Sequence, residues 1–434
     1  MNRSSKRLVL VVSDFPKLSE SFIVSKFLGL LELGWDVYVV CGSSDPAQWR
    51  NFPDLERHPE ARRRVRVNWP HRPRFLAALL VPWAMIWCLC RNSTGTVNYL
   101  RRGARRFGAG VLRGLYLDAA IVALKPEVVH FEFGALAVER MQLKQFLDCK
   151  VIVSFRGYDL NFAGLEKADY FDEVWDQADA LHLLGADLWR RALRRGCPAG
   201  KPHTLIPPAI DTAFFNPVQR VDTPKPASPL RPIRILSVGR MEWKKGYEYA
   251  LESIQLLSRM NIECEFRIIG SGTYNEPLTF AGYQLGVTDK VHHLGALPRA
   301  EVREEMRTAD IFLHAAVSEG FCNSVLEAQA MQLPVVCSDA DGLPENVADG
   351  ETGFVVPRRN PPALAEKLAV LAEDPTLRRQ MGQAGRQRVV ERFQLADQID
   401  AFDRLYDSVS PGVSAPRIGE ARAGQGPAVL NSKS

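Results

Sequence analysis

Two glutamates flank a stretch whose residue types suit a polar ligand. Glu319 and Glu327 are separated by seven residues, and residues 320–322 follow the first glutamate directly. An apolar run ends at Ala316 and helical spacing begins near Val325, so this stretch predicts a strand tip that leads into a helix N-terminus. Amides at such a corner point outward at the positive end of the helix dipole, which suits a phosphate or sugar hydroxyls.

The spacing of the two carboxylates limits the chemistry that they can share. If both belong to this loop and helix, Glu319 and Glu327 lie about two turns, or about 12 Å, apart along the axis. Two carboxylates at that distance do not share one proton. They can instead hold the two ends of one elongated polar ligand.

A second candidate site for a phosphate begins where another apolar run ends. Residues 233–238 read as a strand that leads into Gly239 and Arg240, and Lys245 and Gly246 follow after a short turn. The guanidinium can bind a diphosphate through its planar fork, and the lysine can bind it as a point charge.

Together these motifs resemble the signature of glycosyltransferase family 4, the glycosyl transferases group 1, which are retaining enzymes of the GT-B fold. The resemblance rests on Glu-x7-Glu and on Gly-Arg-x4-Lys-Gly, extends over most of the chain, and is closest to members of the exopolysaccharide and colanic-acid type. It implies that Glu319 orients the donor sugar, that Glu327 binds the ribose, and that Gly239, Arg240 and Lys245 bind the donor diphosphate. It also implies donor-sugar contacts for the residues after the first glutamate: Gly320, Phe321, Cys322 and Asn323.

The reaction centre departs from the family pattern at one position. The loop Arg156-Gly-Tyr-Asp159 stands where the family commonly has His-Gly-x-Asp. Arginine cannot act as a general base at pH 7, but it can neutralise a phosphate or a developing negative charge. We therefore assign Arg156, with Glu319, to the catalytic centre. The departure also leaves room for a nucleotide-binding protein without turnover.

Three residues of the first half are candidates for the acceptor side. Ser19 lies in a polar loop after the first predicted strand, a loop that by resemblance faces the cleft. Asp159 ends the Arg-Gly-Tyr-Asp loop. His130 lies in the run that begins at Val128; the resemblance implies a cleft residue, and a core or supporting residue is an equally good interpretation.

The sequence predicts neither a metal nor a cofactor. Asp339-Ala-Asp341 has the Asp-x-Asp form of metal-dependent GT-A enzymes, but three residues are little evidence, and the resemblance makes them an ordinary loop after a strand. No Gly-x-Gly-x-x-Gly indicates a dinucleotide. The expected co-substrate is a nucleotide-diphosphate sugar.

The charge of the chain is distributed unevenly. Residues 1–225 hold 32 Lys and Arg against 23 Asp and Glu, whereas the remainder holds 23 against 27. Between Arg57 and Arg113 there are 13 Arg and a single acid, Glu60. No nucleic-acid-binding motif accompanies them, so we expect no nucleic-acid partner.

Within this basic region, residues 75–90 carry no charge. Sixteen residues fall short of the roughly 20 that span a bilayer, so we expect no transmembrane helix. Two interpretations stay open: an interfacial helix at an anionic membrane surface, or a buried helix hairpin with a solvated basic edge.

The N-terminal apolar run is too short for a secretory signal, so we expect no export. The eight Cys residues form no CxxC pair, which favours reduced thiols and the cytoplasm, with peripheral contact at the inner face of the plasma membrane as an option.

The predicted fold class is α/β: a GT-B fold with two Rossmann-like domains that face each other across a cleft, and a C-terminal helix that packs back on the first domain. The sequence divides into an acceptor-side domain (1–215), a Pro-rich linker (216–232), a nucleotide-sugar domain (233–393), a crossover helix (394–410) and a disordered tail (411–434).

The predicted function is retaining transfer of a hexosyl group from a nucleotide-diphosphate sugar to a saccharide or lipid-linked saccharide, in the synthesis of a surface polysaccharide or glycolipid. Two alternatives stay open. One is a non-catalytic nucleotide-sugar-binding component of a polysaccharide assembly system, and the other is a GT-B nucleotide-sugar epimerase.

Overall fold

Two parallel β-sheets, one in each half of the chain, form the framework of the molecule. The computed structural model describes residues 6–68, 74–217 and 231–409, without the side chains of 74–78. We call the parts built on the two sheets the first and the second domain.

The first sheet has seven parallel strands in the order β3-β2-β1-β4-β5-β6-β7. The interior strand β1 is apolar over residues 8–12: Leu8 and Leu10 face one apolar cluster, and Val9 and Val11 face another on the opposite side. A strand that is buried on both faces needs helices on both sides, as in doubly wound folds. The strands are β1 (Arg7–Asp14), β2 (Asp36–Ser43), β3 (Val65–Val67), β4 (Val128–Phe131), β5 (Lys150–Phe155), β6 (Ala180–Leu183) and β7 (His203–Leu205).

Twelve α-helices accompany this sheet within the described residues. They are α1 (Ser21–Glu32), α2 (Pro46–Trp49), α3 (Pro53–Glu56), α4 (Ala61–Arg64), α5 (Arg74–Arg91), α6 (Ser93–Phe107), α7 (Gly110–Leu124), α8 (Gly134–Ala137), α9 (Gln142–Leu147), α10 (Gly157–Asn161), α11 (Asp172–Gln177) and α12 (Ala186–Arg194).

The second sheet has six parallel strands in the order β10-β9-β8-β11-β12-β13. They are β8 (Ile233–Val238), β9 (Cys264–Ile269), β10 (Val291–Gly295), β11 (Ile311–His314), β12 (Val335–Ser338) and β13 (Gly353–Val356). The helices are α13 (Tyr247–Arg259), α14 (Asn275–Leu285), α15 (Arg299–Thr308), α16 (Asn323–Ala330), α17 (Leu343–Asn346), α18 (Pro361–Glu373), α19 (Pro375–Arg392) and α20 (Leu395–Val409).

Both sheets reverse their winding direction beside their first strand. In the first sheet this point lies between β1 and β4, and in the second between β8 and β11. Loops at the carboxyl ends of strands diverge at such a point and leave a crevice for ligands. The stretch around Glu319 follows β11 directly, so the strand order accounts for its position at the cleft.

The last helix, α20, belongs spatially to the first domain. Phe402 and Tyr406 of α20 are buried in the apolar cluster that also contains Leu8. Trp35 donates a hydrogen bond to Asp403 over 2.8 Å. The predicted fold class, two Rossmann-like domains with a C-terminal helix that packs back, is confirmed.

The predicted domain boundaries stay predictions where they fall between elements. Most of the linker (218–230) and the tail from residue 410 onward lie outside the described residues. The uncharged run 75–90 forms most of α5, in which Pro82 lies inside the helix. Among the described residues, none of the helices has the length and apolar character to cross a membrane.

Candidate active site

A cavity of about 440 Å³ separates the two domains, and residues from both line it. Most of the predicted site residues meet there. The second domain contributes Gly239, Arg240, Lys245, Glu319, Gly320, Phe321, Cys322, Asn323 and Glu327, and the first domain contributes Ser19 and Arg156. His130 and Asp159 do not line this cavity.

Glu319 lies in the loop between β11 and α16 and makes two charged contacts. Lys245 donates to its Oε2, and His314 Nε2 lies 3.3 Å from the same oxygen. Burial alone would raise the pKa of Glu319, but the charges of Lys245 and His314 lower it to about 2. The carboxylate is therefore ionised at every pH at which the protein is expected to work.

The loop after Glu319 closely approaches the first domain. A Cβ atom on Gly320 would lie 2.7 Å from the amide nitrogen of Gly157, and one on Gly157 would lie 2.8 Å from the amide nitrogen of Gly320. Real Cβ contacts are longer, so glycine at both positions permits the contact between the backbones.

One predicted feature of this loop is wrong. The amide of Cys322 does not point outward to a ligand but donates to Asn346 Oδ1 over 3.2 Å, while Asn346 Nδ2 donates to the Cys322 carbonyl over 3.0 Å. The reason is that Cys322 is the residue before α16, and Asn346 satisfies its backbone. The amides of Gly320 and Phe321 remain the ones assigned to a ligand.

The turn after β8 carries the predicted diphosphate site. Gly239 O accepts a hydrogen bond from Tyr247 over 3.0 Å, which fixes the strand end. Lys245 is directed at Glu319, whereas Arg240 is more than half exposed and lies 2.7 Å from Glu242. Arg240 contacts Glu242 through Nη1 and also lines the cavity, so its guanidinium can face a ligand there.

Glu327 lies on α16, eight residues after Glu319, but the helix begins only at Asn323. Its carboxyl is partly buried at the cavity wall, and none of the hydrogen bonds among the described residues involves it. Burial raises the pKa of Glu327 to about 7, against a smaller opposing effect of Arg299. A carboxyl that is poised near neutrality without an internal partner is available to a ligand.

Arg156 closes the cavity from the first domain, as part of a buried group of charges. Its guanidinium lies over Phe22, 4.0 Å from the ring centroid, and donates to Glu132 Oε2 over 3.1 Å. Lys26 donates to the other oxygen of Glu132. Although burial alone would raise it, these two cations lower the pKa of Glu132. Two cations thus contact one buried carboxylate, and Asp159 and Glu20 add negative charge close to Arg156.

Two acceptor-side candidates do not line the 440 Å³ cavity, although Asp159 lines a neighbouring cavity between the domains. His130 is fully buried, and its ring nitrogens lie 2.7 Å from Tyr406 Oη and 2.7 Å from Ser154 Oγ. The interpretation of His130 as a core residue is therefore the correct one. Asp159 is also fully buried and accepts from the amides of Ala135 and Arg156, so it orders its own loop instead of presenting a carboxylate to an acceptor.

Asp341 of the Asp-x-Asp sequence ties the domains together. It accepts from Arg191 and Asn161 of the first domain and from Ser318 and Arg358 of the second. A second tie lies nearby, where Glu345 accepts from the first two amides of α12. Arginines and amides thus account for the carboxylate oxygens on this side of the cleft.

The sequence prediction missed several residues that line or support the cavity. Lys26 and Glu132 carry no motif, and only the fold brings them next to Arg156. His314 is the last residue of β11, a position from which it reaches Glu319 and Cys322. Glu20 lines the cavity, and its Oε2 has no partner among the described residues. Among these residues, only Glu20 could have been found from the sequence, because it follows the predicted site residue Ser19 in the same loop.

Two parallel α/β domains with an interdomain cleft, cations and a glutamate-bearing helix N-terminus define the class of GT-B glycosyltransferases. Solved structures agree on the fold. The structure of Anabaena Alr3699/HepE in complex with UDP and glucose superposes with a TM-score of 0.69 at 15% identity, covering 93% of this chain and 99% of that one. A glycosyltransferase from Rickettsia africae ESF-5 gives 0.68, with 94% and 99% covered.

Sequence comparison identifies the second domain. Residues 218–388 match the family model "Glycosyl transferases group 1". The amylovoran biosynthesis glycosyltransferase AmsK of Erwinia amylovora is 28% identical over 85% of this chain and 91% of its own. WcaL of Escherichia coli K12, provisionally named a colanic acid biosynthesis glycosyltransferase, is 25% identical over 83% and 89%. The chain carries a glycosyl transferases group 1 domain and is a glycosyltransferase, as its motifs predicted.

Proposed function

We propose that this protein is a family 4 hexosyltransferase that retains the anomeric configuration of its donor. The donor is a nucleotide-diphosphate sugar, and the acceptor is a saccharide or lipid-linked saccharide of a surface polysaccharide or glycolipid. The observation that carries the proposal is the convergence of Glu319, Lys245 and Glu327 on one cleft, opposite the buried cations Arg156 and Lys26.

In the proposed reaction, stabilisation of the departing diphosphate does the main catalytic work. Lys245, Arg240 and the amides of Gly320 and Phe321 bind the phosphates and the sugar, and Arg156 adds positive charge from the opposite wall. Preorganised charges in a site with little water are worth more than the same charges in bulk solvent. The donor's own phosphate oxygen receives the acceptor proton, so no protein base and no metal is required.

The relatives support a role in exopolysaccharide synthesis, because AmsK is named for amylovoran and WcaL for colanic acid. UDP is the first nucleotide to test, because the HepE structures contain UDP or UDP-glucose. Neither a non-catalytic binding protein nor an epimerase is favoured by these relatives, which are glycosyltransferases.

A first experiment is the thermal shift of the purified protein with UDP, GDP and ADP, each with EDTA and with manganese. A ligand that binds only the folded state raises the midpoint by mass action. We expect a shift with one base that survives EDTA. A shift that requires metal would contradict the metal-independent site.

The phosphate assignment is tested by comparing two ligands on two variants. Lys245→Ala and Arg240→Ala should weaken binding of the nucleotide diphosphate about tenfold or more, but binding of the nucleoside little, because a charge-assisted hydrogen bond contributes about 1.5–3 kcal/mol. Arg259→Ala, at the far end of α13, removes a cation from the same domain and serves as the control. Equal losses for both ligands would remove the assignment.

Helix α5 supports the further proposal of peripheral contact with an anionic membrane at the cytoplasmic face. Ala84 and Cys88 are fully buried against the core, whereas Leu79, Trp83 and Ile86 are 70%, 67% and 52% exposed. These three residues follow helical spacing and form an apolar stripe on the outer face, which we call the α5 stripe. An outward apolar face suits the interface of a bilayer, where exposed arginines of α6 can contact anionic headgroups.

Vesicle sedimentation tests this contact. The protein should bind vesicles that contain phosphatidylglycerol better than vesicles of phosphatidylcholine, and Trp83→Ser with Ile86→Ser should reduce binding severalfold. Phe280→Ser removes an equally exposed aromatic ring (63%) from the second domain and should leave binding unchanged. Unchanged binding of the α5 variant would refute the proposed surface.

A further inference from the structure

Three side chains with metal-binding atoms meet at the inner end of the cleft. His314 Nε2, a Glu319 oxygen and Cys322 Sγ all lie within 4.8 Å of one another. His314 and Cys322 are buried, and Glu319 is 16% exposed. Glu319 and Cys322 also line the cavity, so a small ion in the cleft can reach them.

We propose that this triad is a binding site for a thiophilic divalent cation, Zn²⁺ in the first place. Two distances match the edges of a zinc tetrahedron. With Zn–N about 2.05 Å, Zn–O about 2.1 Å and Zn–S about 2.3 Å, the ideal N–O and N–S edges are about 3.4 and about 3.6 Å. The observed separations are 3.3 Å from His314 Nε2 to Glu319 Oε2 and 3.5 Å from His314 Nε2 to Cys322 Sγ.

The donor set fits the chemistry of zinc better than that of magnesium or manganese. Imidazole and thiolate are ligands that zinc prefers, and three protein ligands leave a fourth position for water or a ligand in the cleft. The backbone of Cys322 is already fixed by both hydrogen bonds of the Asn346 amide. Zinc would therefore require little movement of His314 and Cys322, two of its three ligands.

A cation already lies next to this site. Lys245 donates to Glu319 Oε2, the oxygen that the triad offers to a metal. Zinc would therefore compete with Lys245 for the Glu319 carboxylate.

A consequence for activity rests on the proposed function. Bound zinc occupies the Glu319 oxygen that is assigned to the donor sugar, and it separates Glu319 from Lys245. Zinc should therefore compete with the nucleotide-diphosphate sugar. The site itself can be tested without any transferase assay, so failure of the two proposals is distinguishable.

The test uses Co²⁺ as a spectroscopic probe on the full chain after EDTA treatment and desalting. One equivalent should produce a thiolate-to-cobalt charge-transfer band, and Zn²⁺ should abolish it. Cys322→Ser should eliminate the band, whereas Cys90→Ser, which removes an exposed thiol, should retain it. His314→Gln should weaken binding by more than about tenfold, the lower end of the loss seen when a mere supporting partner of a metal ligand is removed.

A second measurement needs no variant. Zn²⁺ should slow the alkylation of Cys322 in the wild-type protein, as read by peptide mass, and leave Cys90 unaffected. Absence of the cobalt band in the wild type, its persistence in Cys322→Ser, or equal protection of both thiols would each overturn the site. Zinc binding with unchanged affinity for the donor would overturn the competition alone.

Discussion

The raised pKa of Glu327 predicts that donor binding depends on pH. An ionised carboxylate accepts hydrogen bonds from two ribose hydroxyls, whereas the protonated form offers fewer acceptor sites. With a pKa of about 7 in the ligand-free site, the ionised fraction falls from about nine-tenths at pH 8 to about one-tenth at pH 6. If the complex requires the ionised form, affinity falls about tenfold over this range, or by about 1.4 kcal/mol.

Of the other groups at the site, Lys26 is the one to watch, because burial lowers its pKa to about 8. It loses charge towards pH 8, which weakens the binding of an anion there and so acts against the effect of Glu327. The neighbours of Glu327 on the donor side do not titrate in this range. Glu319 has a pKa of about 2 and His314 of about 9. The ligand must be chosen with equal care, because a terminal phosphate has its second pKa at about 6. A nucleotide-diphosphate sugar and the free nucleoside lack that ionisation, and calorimetric titration of both from pH 6 to pH 8 isolates the effect of the protein.

Two variants make the assay decisive. Glu327→Gln keeps an acceptor oxygen without the charge, so it should lower affinity at pH 8 by about 1 kcal/mol and abolish the fall in affinity from pH 8 to pH 6. Glu319→Gln should retain the pH dependence, because Glu319 stays ionised throughout. A flat profile in the wild type, or the same slope in Glu327→Gln, would refute the assignment of Glu327 to the ribose.

Two further predictions concern stability and domain closure. Glu132→Gln leaves Lys26 and its neighbouring guanidinium without a buried anion and should cost about 3–5 kcal/mol in chemical unfolding, whereas exposed Glu32→Gln should change it by less than about 0.5 kcal/mol. Because the pKa of Glu132 is lowered in the folded protein, this stabilisation is present above the pKa that Glu132 has in the unfolded chain, and it is lost as the pH falls through its pKa in the folded protein. Equal losses of unfolding free energy in both variants would contradict the role of Glu132. Asp341→Asn should loosen the interdomain contact and raise amide hydrogen exchange in the loop after residue 318. Asp339→Asn should not, because the side-chain bonds of Asp339 stay within the second domain. Unchanged exchange in Asp341→Asn would refute the role of Asp341 in domain closure.

The sequence was informative about the donor side because its chemistry is local. Glu319 and Glu327 are eight residues apart, and Arg240 and Lys245 are five apart, so one loop and one turn carry their signals. The first domain is different: Lys26, Glu132 and Arg156 meet only because helix α1 lies next to the ends of β4 and β5. No periodicity marks such a group: the sequence indicated Arg156, whereas Lys26 and Glu132 were found only in the structure.

Details of hydrogen bonding also lay beyond the sequence. Helical spacing predicted α16 correctly, but which amides face a ligand depends on Asn346, which lies on another helix. His130 shows the same limit, because both of its interpretations fitted an apolar strand. Its partner Tyr406 is 276 residues away, a contact that the local pattern around His130 does not encode.

The position of α20 has a consequence for how the chain is made. The first domain is synthesised first, yet Trp35 and His130 find their partners only when residues 403 and 406 emerge from the ribosome. Until then, the apolar face that receives Phe402 and Tyr406 stays uncovered. A fragment that stops at residue 215 therefore lacks part of the apolar cluster of its own domain, which the end of the chain supplies.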